Sequence, residues 1–147
     1  MPVAPQTIQV SGAGVDLSPR FLANNTVVAS PATAAEVVVA TLGPFTGALA
    51  VGSGVFILGQ VALHVGTSGT SVQYRVRQGT TAGSGTVVFD SGACTSGVTA
   101  TAFLVENITA FDSSPTLPGQ SYCLTVTVGA ASAASTASAV SIAGFVI

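Results

Sequence analysis

The chain has 147 residues, a formal net charge of −2, 48% hydrophobic residues and only 5% charged residues. Three Arg and no Lys cannot make the basic stripe a nucleic-acid duplex needs, and one His and two Cys leave little for a metal site or for acid–base catalysis. A mean hydropathy of +0.72 argues against intrinsic disorder, and the length suits one domain.

Residues 1–25 carry Pro2, Pro5, Pro19 and the Gly12-Ala13-Gly14 turn, and are expected to form an extended N-terminal arm. The remainder, 26–147, is expected to be one β-sandwich domain. Thr26–Ser30 reads as a short strand closed by Pro31. Glu36–Leu42 is rich in β-branched residues and stops at Gly43-Pro44. Val55–Val65 is the longest strand; Val55, Ile57, Val61, Leu63 and Val65 share one face, and Phe56, Leu58, Gln60 and His64 the other. Gly59 in its middle signals a bulge or a close backbone approach.

The loop Gly66–Thr70 leads into Ser71–Gln78, the clearest alternation in the chain. Val72, Tyr74 and Val76 point inward there, which leaves Gln73, Arg75 and Arg77 on the opposite face. Gly79–Gly85 is a glycine-rich turn, and Thr86–Asp90 the next strand. Val98–Ile108 follows as a strand, then Asp112–Gly119 as a Pro/Gly loop. Ser121–Val128 places Tyr122, Leu124, Val126 and Val128 inside, with Cys123, Thr125 and Thr127 outside. Ala137–Ile147 is the last strand. Ala32–Ala35 and Ala130–Ala134 are the only helix candidates, and both are too short to stand alone. About eight short strands at turn spacing predict an all-β fold, an antiparallel two-sheet jelly-roll sandwich.

The breaks at Gly43-Pro44, Gly47 and Gly52-Ser53-Gly54 leave no apolar run of the roughly 18 residues a membrane helix needs. Nine aromatics are too few for the girdles of a membrane barrel, and no secretory leader is visible at Met1. A weakly charged, apolar-rich surface favours association, so the chain reads as a subunit and not a free monomer.

No residue set reads as catalytic, cofactor-binding or metal-binding, no small-molecule substrate is expected, and an enzyme is not the expected class. Cys94 and Cys123 read as free thiols, since the chain lacks the signal of an oxidising compartment. Asn24-Asn25-Thr26 and Asn107-Ile108-Thr109 match a glycosylation pattern, with nothing beside them that implies secretion. His64 is a pH-sensitive interface residue or a hydrogen-bonded structural one. Arg75 and Arg77, two residues apart on one face, are candidates to grip a carboxylate across a subunit boundary, with Glu36 or Glu106 as partner; the alternative is a solvated strand face. The interface candidates are therefore Arg75, Arg77, Glu36, Glu106 and His64.

The stretch Val72–Gly92, VQYRVRQGTTAGSGTVVFDSG, resembles the small jelly-roll structural proteins of tailed bacteriophages. In that pattern a hydrophobic-Tyr-Arg-hydrophobic-Arg strand runs into a Gly-Thr-Thr turn and a second hydrophobic strand. The SYCLTVTV strand and the hydrophobic C-terminal strand extend the similarity over roughly residues 72–147. The resemblance implies a virion structural protein assembled in the host cytoplasm, a head decoration (cement) protein acting as a homotrimer on the major capsid protein. A tail, neck or fibre component is the alternative within that class. A carbohydrate-binding β-sandwich module is the alternative outside it, and needs exposed aromatics at a site.

Overall fold

The structure, a computed structural model, describes residues 21–24, 35–45, 54–66, 70–95, 103–116, 119–129 and 135–147. These residues form nine β-strands: β1 Phe21–Asn24, β2 Glu36–Leu42, β3 Val55–His64, β4 Ser71–Gln78, β5 Val87–Asp90, β6 Cys94–Thr95, β7 Phe103–Asp112, β8 Tyr122–Val128 and β9 Thr136–Val146. No helix occurs among them. Two antiparallel sheets result. One has the order β1-β9-β3-β7; the other has the order β2-β8-β4-β5, with β6 also pairing with β4.

The pairing is nested. Strand β4 pairs with β5, β3 with β7, β2 with β8 and β1 with β9, all antiparallel. This is one long hairpin rolled over on itself, and the roll is stitched closed by β3 against β9 and β4 against β8. Apart from β4 and β5, which lie side by side, successive long strands alternate between the two sheets. That connectivity makes the sandwich a jelly roll, as the strand count and turn spacing predict.

Alternation in the sequence becomes the two-sided burial of each sheet. Val55, Ile57, Val61 and Leu63 of β3 are fully buried against Val72, Val76, Leu124 and Val126 of the facing sheet. The expected inward face of β4 holds, with Val72, Tyr74 and Val76 all buried. Phe45 and Tyr122 close one end edge to face, ring centroids 6.1 Å apart. Two glycines let the sheets approach. A Cβ on Gly59 would lie 3.1 Å from Leu124 Cδ2, and one on Gly144 would lie 2.6 Å from Leu42 Cδ2. Gly59 is thus a close approach; the register irregularity between β3 and β9 falls beside it, between Gln60 and Ala62.

Four expectations are adjusted. Phe21–Asn24, inside the expected arm, is a strand paired with Ile142–Phe145; the β9 edge recruits a segment too short to show alternation of its own. Strand β7 runs on to Asp112, beyond Ile108, because β3 offers a continuous ten-residue partner from Val55 opposite Asp112 to His64 opposite Phe103. Cys123 and Thr125 keep the expected outer side of β8 but are buried there, because β8 lies between β2 and β4 and the long side chains of those strands roof it. The C-terminal strand begins at Thr136, one residue early. Residues 1–20, Thr26–Ser30, 98–102 and both helix candidates except Ala35 lie outside the described residues.

Candidate assembly surfaces

The two sheets present opposite chemistries to the outside. On the outer face of β2-β8-β4-β5, the alternation of SVQYRVRQ aligns Gln73, Arg75 and Arg77 in one row. Glu36 enters from the first position of β2 and Asp90 from the last position of β5. Arg77 grips Glu36 with two parallel bonds, Nε to Oε1 at 2.6 Å and Nη2 to Oε2 at 2.8 Å. Arg75 bridges the two carboxylates, with Nη1 3.4 Å from Glu36 Oε2 and Nε 2.8 Å from Asp90 Oδ2. The Thr125 hydroxyl, on the strand between them, donates to Glu36 Oε1 at 2.5 Å. Gln73 Nε2 and the Gly92 N–H both donate to Asp90 Oδ1.

Two guanidiniums and two carboxylates therefore neutralise each other across three strands. Arg77's hydrogen bonds hold the Glu36 carboxyl below the usual carboxylate range, with burial opposing them, and the same contact raises Arg77 further. Asp90 is held down to about 2, first by Arg75, then by the Gly92 N–H and Gln73. Beneath them, burial pushes the Cys123 thiol up to about 11, with the Glu36 charge adding to it. Such a network orders a sheet face. It leaves no unmatched charge for a substrate.

Among the interface candidates, Arg75, Arg77 and Glu36 meet here, within one chain. His64 and Glu106 lie on the other sheet, as strand neighbours on β3 and β7. The His64 ring packs 5.4 Å from the Phe103 ring. Glu106 stands opposite Val61, on the inner side of an edge strand, and remains exposed. Asp90 was not among the candidates. The signal that finds it is the Gly79–Gly85 turn, which folds the strand ending at Asp90 back onto Arg75.

A second polar group lies inside the sandwich. Asp112, nearly buried, accepts from Tyr122 Oη at 2.9 Å and Gln78 Nε2 at 2.7 Å on one oxygen, and from the Ser114 N–H on the other. Burial, then the bond to Asp112, raises Tyr122 above the ordinary phenol range. Sequence reading missed this cluster because Asp112 reads as the start of a loop. Cys94 and Cys123 are both free, the first exposed and the second buried. Among the described residues no three His, Cys, Asp or Glu side chains gather as metal ligands, and no helix is long and apolar enough to cross a membrane.

The outer face of β1-β9-β3-β7 exposes large hydrophobic side chains among uncharged polar ones. Phe103 is 60% exposed, Val105 58%, Phe111 49% and Leu58 43%. Phe56 and Phe145 lie beside them, ring centroids 5.3 Å apart. These residues form two hydrophobic clusters on one sheet face, Phe103 with Val105 and Phe111 with Leu58, Phe56 and Phe145, separated by the exposed Gln60–Asn107 pair and Thr109. Exposed clusters of this kind mark contact surfaces.

Fold and surfaces together define an all-β jelly-roll body with one self-neutralised face and one face of exposed hydrophobic clusters. No family model matches the chain, and no curated protein matches it. Among solved structures, it is similar to a chain in the structure of infectious bursal disease virus, Gx strain, with a TM-score of 0.54 and 16% identity. The alignment covers 98% of this chain and 36% of that one, so this chain spans about a third of that neighbour's length. The likeness is one of fold, and its source is not a tailed bacteriophage.

Proposed function

We propose that this chain is a structural protein of a virion, a head decoration (cement) protein that binds between neighbouring shell subunits. The observation that carries the reading is the set of exposed hydrophobic side chains on one sheet face of a jelly-roll body whose other face matches Arg75 and Arg77 with Glu36 and Asp90. The fold likeness to a chain of a virus structure agrees with it. Apolar burial contributes about 25 cal/mol per Å², so a face of this kind attaches copies to a shell without ion pairs. In this reading the chain acts as a homotrimer, with residues 1–20 lying along a neighbouring subunit or the major capsid protein. It is assembled into the virion in the host cytoplasm, and uses no cofactor, nucleic acid or membrane. A carbohydrate-binding module is less well supported: both tyrosines, Tyr74 and Tyr122, are buried, and the exposed aromatics Phe103 and Phe111 stand at opposite ends of β7 and do not share one site.

Cryo-electron microscopy of purified particles, with densitometry of their proteins, tests the reading. A cement protein appears on the shell in numbers comparable to the major capsid protein. A few copies confined to the neck or tail make it a component of those parts instead. Absence from the particle overturns the virion role altogether.

A further inference from the structure

Strand β7 is an open edge of its sheet: among the described residues it pairs with β3 on one side and with no strand on the other. Its ten residues contain no Pro, no Lys and no bulge against β3, three of the devices that blunt an edge strand; the device present is the inward-facing charge of Glu106. Every second residue faces outward, and that row reads Phe103, Val105, Asn107, Thr109, Phe111. The row is nearly palindromic about Asn107, and its ends are the exposed phenyl groups.

We propose that this edge binds a second copy of the chain, β7 to β7, antiparallel about a two-fold axis through Asn107. The inference rests on the reading of the chain as a self-associating subunit and names the surface it uses. In this register Phe103 of one copy stands opposite Phe111 of the other, and Val105 opposite Thr109. Aromatic and β-branched pairs of this kind are the favourable cross-strand neighbours of an antiparallel ladder. The register is chosen by charge as well. Glu106 is the one charged group in the strand's middle, and it faces the inner side. Pairing centred on Glu106 would set the two carboxylates directly opposite each other, whereas pairing centred on Asn107 sets each opposite Ile108. Glu106, an interface candidate from the sequence, acts here as the residue that excludes the neighbouring register. Two-fold strand pairing is isologous and uses a different surface from the heterologous contact that closes a trimeric ring, so one body has room for both.

Disulfide trapping tests the register. Asn107→Cys in a Cys94→Ser background puts two thiols on the two-fold axis, within the Cα separation a disulfide spans. Val105→Cys in the same background puts them about 13 Å apart along the strands, out of reach. Under a mild oxidant, Asn107→Cys gives a covalent dimer at least about tenfold faster than Val105→Cys, as expected for a held rather than a colliding pair. The double variant Val105→Cys plus Thr109→Cys also crosslinks, and serves if Asn107→Cys fails to fold. Equal rates at 105 and 107, or no crosslinking of the folded variants, overturns the pairing. Sedimentation of the wild-type chain separates the two failures. A chain that self-associates without trapping at 107 loses only this edge contact, whereas a strictly monomeric chain that is nonetheless abundant on particles loses the contact and keeps the virion role.

Discussion

Arg77 on β4 and Glu36 on β2 are joined by two short parallel hydrogen bonds over the top of β8, the strand that separates theirs. Both side chains are only 12% exposed. The pair ties three strands of one chain together, so its first effect is on the stability of the body. Glu36→Gln should cost roughly 1–3 kcal/mol, because Arg77 then keeps its partial burial and loses its ion partner. Arg75→Ala should cost only about 0–1 kcal/mol, since its closer bond is to the more exposed Asp90. Urea titration of both variants checks the order; an equal loss would show that Arg75 is as tightly held as Arg77.

The two tyrosines should respond oppositely to loss of their hydroxyls. Tyr122 Oη donates to Asp112, and Tyr122→Phe should destabilise by about 0.5–1.5 kcal/mol. Tyr74 Oη is buried and, among the described residues, has no hydrogen-bond partner. Tyr74→Phe therefore removes a desolvated hydroxyl and should leave stability unchanged or raise it. Thermal melts of the two variants decide this, and a large loss for Tyr74→Phe would reveal a partner for its hydroxyl.

Stability should be flat from about pH 5 to pH 9 and fall on either side. Glu36 and Asp90 have folded values below their ordinary 4.5 and 3.8. Their contribution is complete above those values and is lost as pH drops toward about 2, with the exposed Asp90 giving the smaller, solvent-screened share. Cys123, Tyr74 and Tyr122 are raised above 9.0, 10.0 and 10.0. In the unfolded chain they ionise first, so their contribution is complete below about pH 9 and declines as pH climbs beyond it. Denaturant midpoints measured from pH 3 to pH 11 test both limbs, and a midpoint that keeps rising above pH 10 would contradict the alkaline one.

The turn between β4 and β5 depends on Gly85. Its φ is +76°, and a Cβ there would collide with the Gln78 carbonyl oxygen. Gly85→Ala should cost at least about 1–3 kcal/mol, combining left-handed strain with a backbone clash. Gly83→Ala has positive φ but open space around it, so it should cost less. Comparing the two melts isolates the clash.

Deleting residues 2–20 keeps β1 and every other described strand. The truncated body should retain its β-sheet circular dichroism and melt within a few degrees of the full chain, while binding particles poorly. Unfolding on truncation would place residues 2–20 in the core.

Much of the architecture was readable without coordinates. Period-two alternation in Ser71–Gln78 and Val55–Val65 names the buried face directly, since side chains on a strand must alternate. The same alternation set Arg75 and Arg77 on one outer face, and the scarcity of charge made Glu36 one of two partners available to them. Glycine and proline spacing marked enough short strands to predict a jelly roll.

What only tertiary structure decided was who meets whom. Glu36 and Arg77 are 41 residues apart and meet because nested pairing places β8 between β2 and β4. That same placement buries Cys123 and Thr125, which alternation alone sets on the outer side of the sheet. Phe21–Asn24 becomes a strand because β9 has an edge to offer, and Asp112 becomes a buried acceptor because β3 extends far enough to hold it. Local sequence determines which way a side chain points relative to its own strand. Whether that direction ends in water, in a neighbouring strand or under an ion pair depends on long-range order, which the strand itself does not encode.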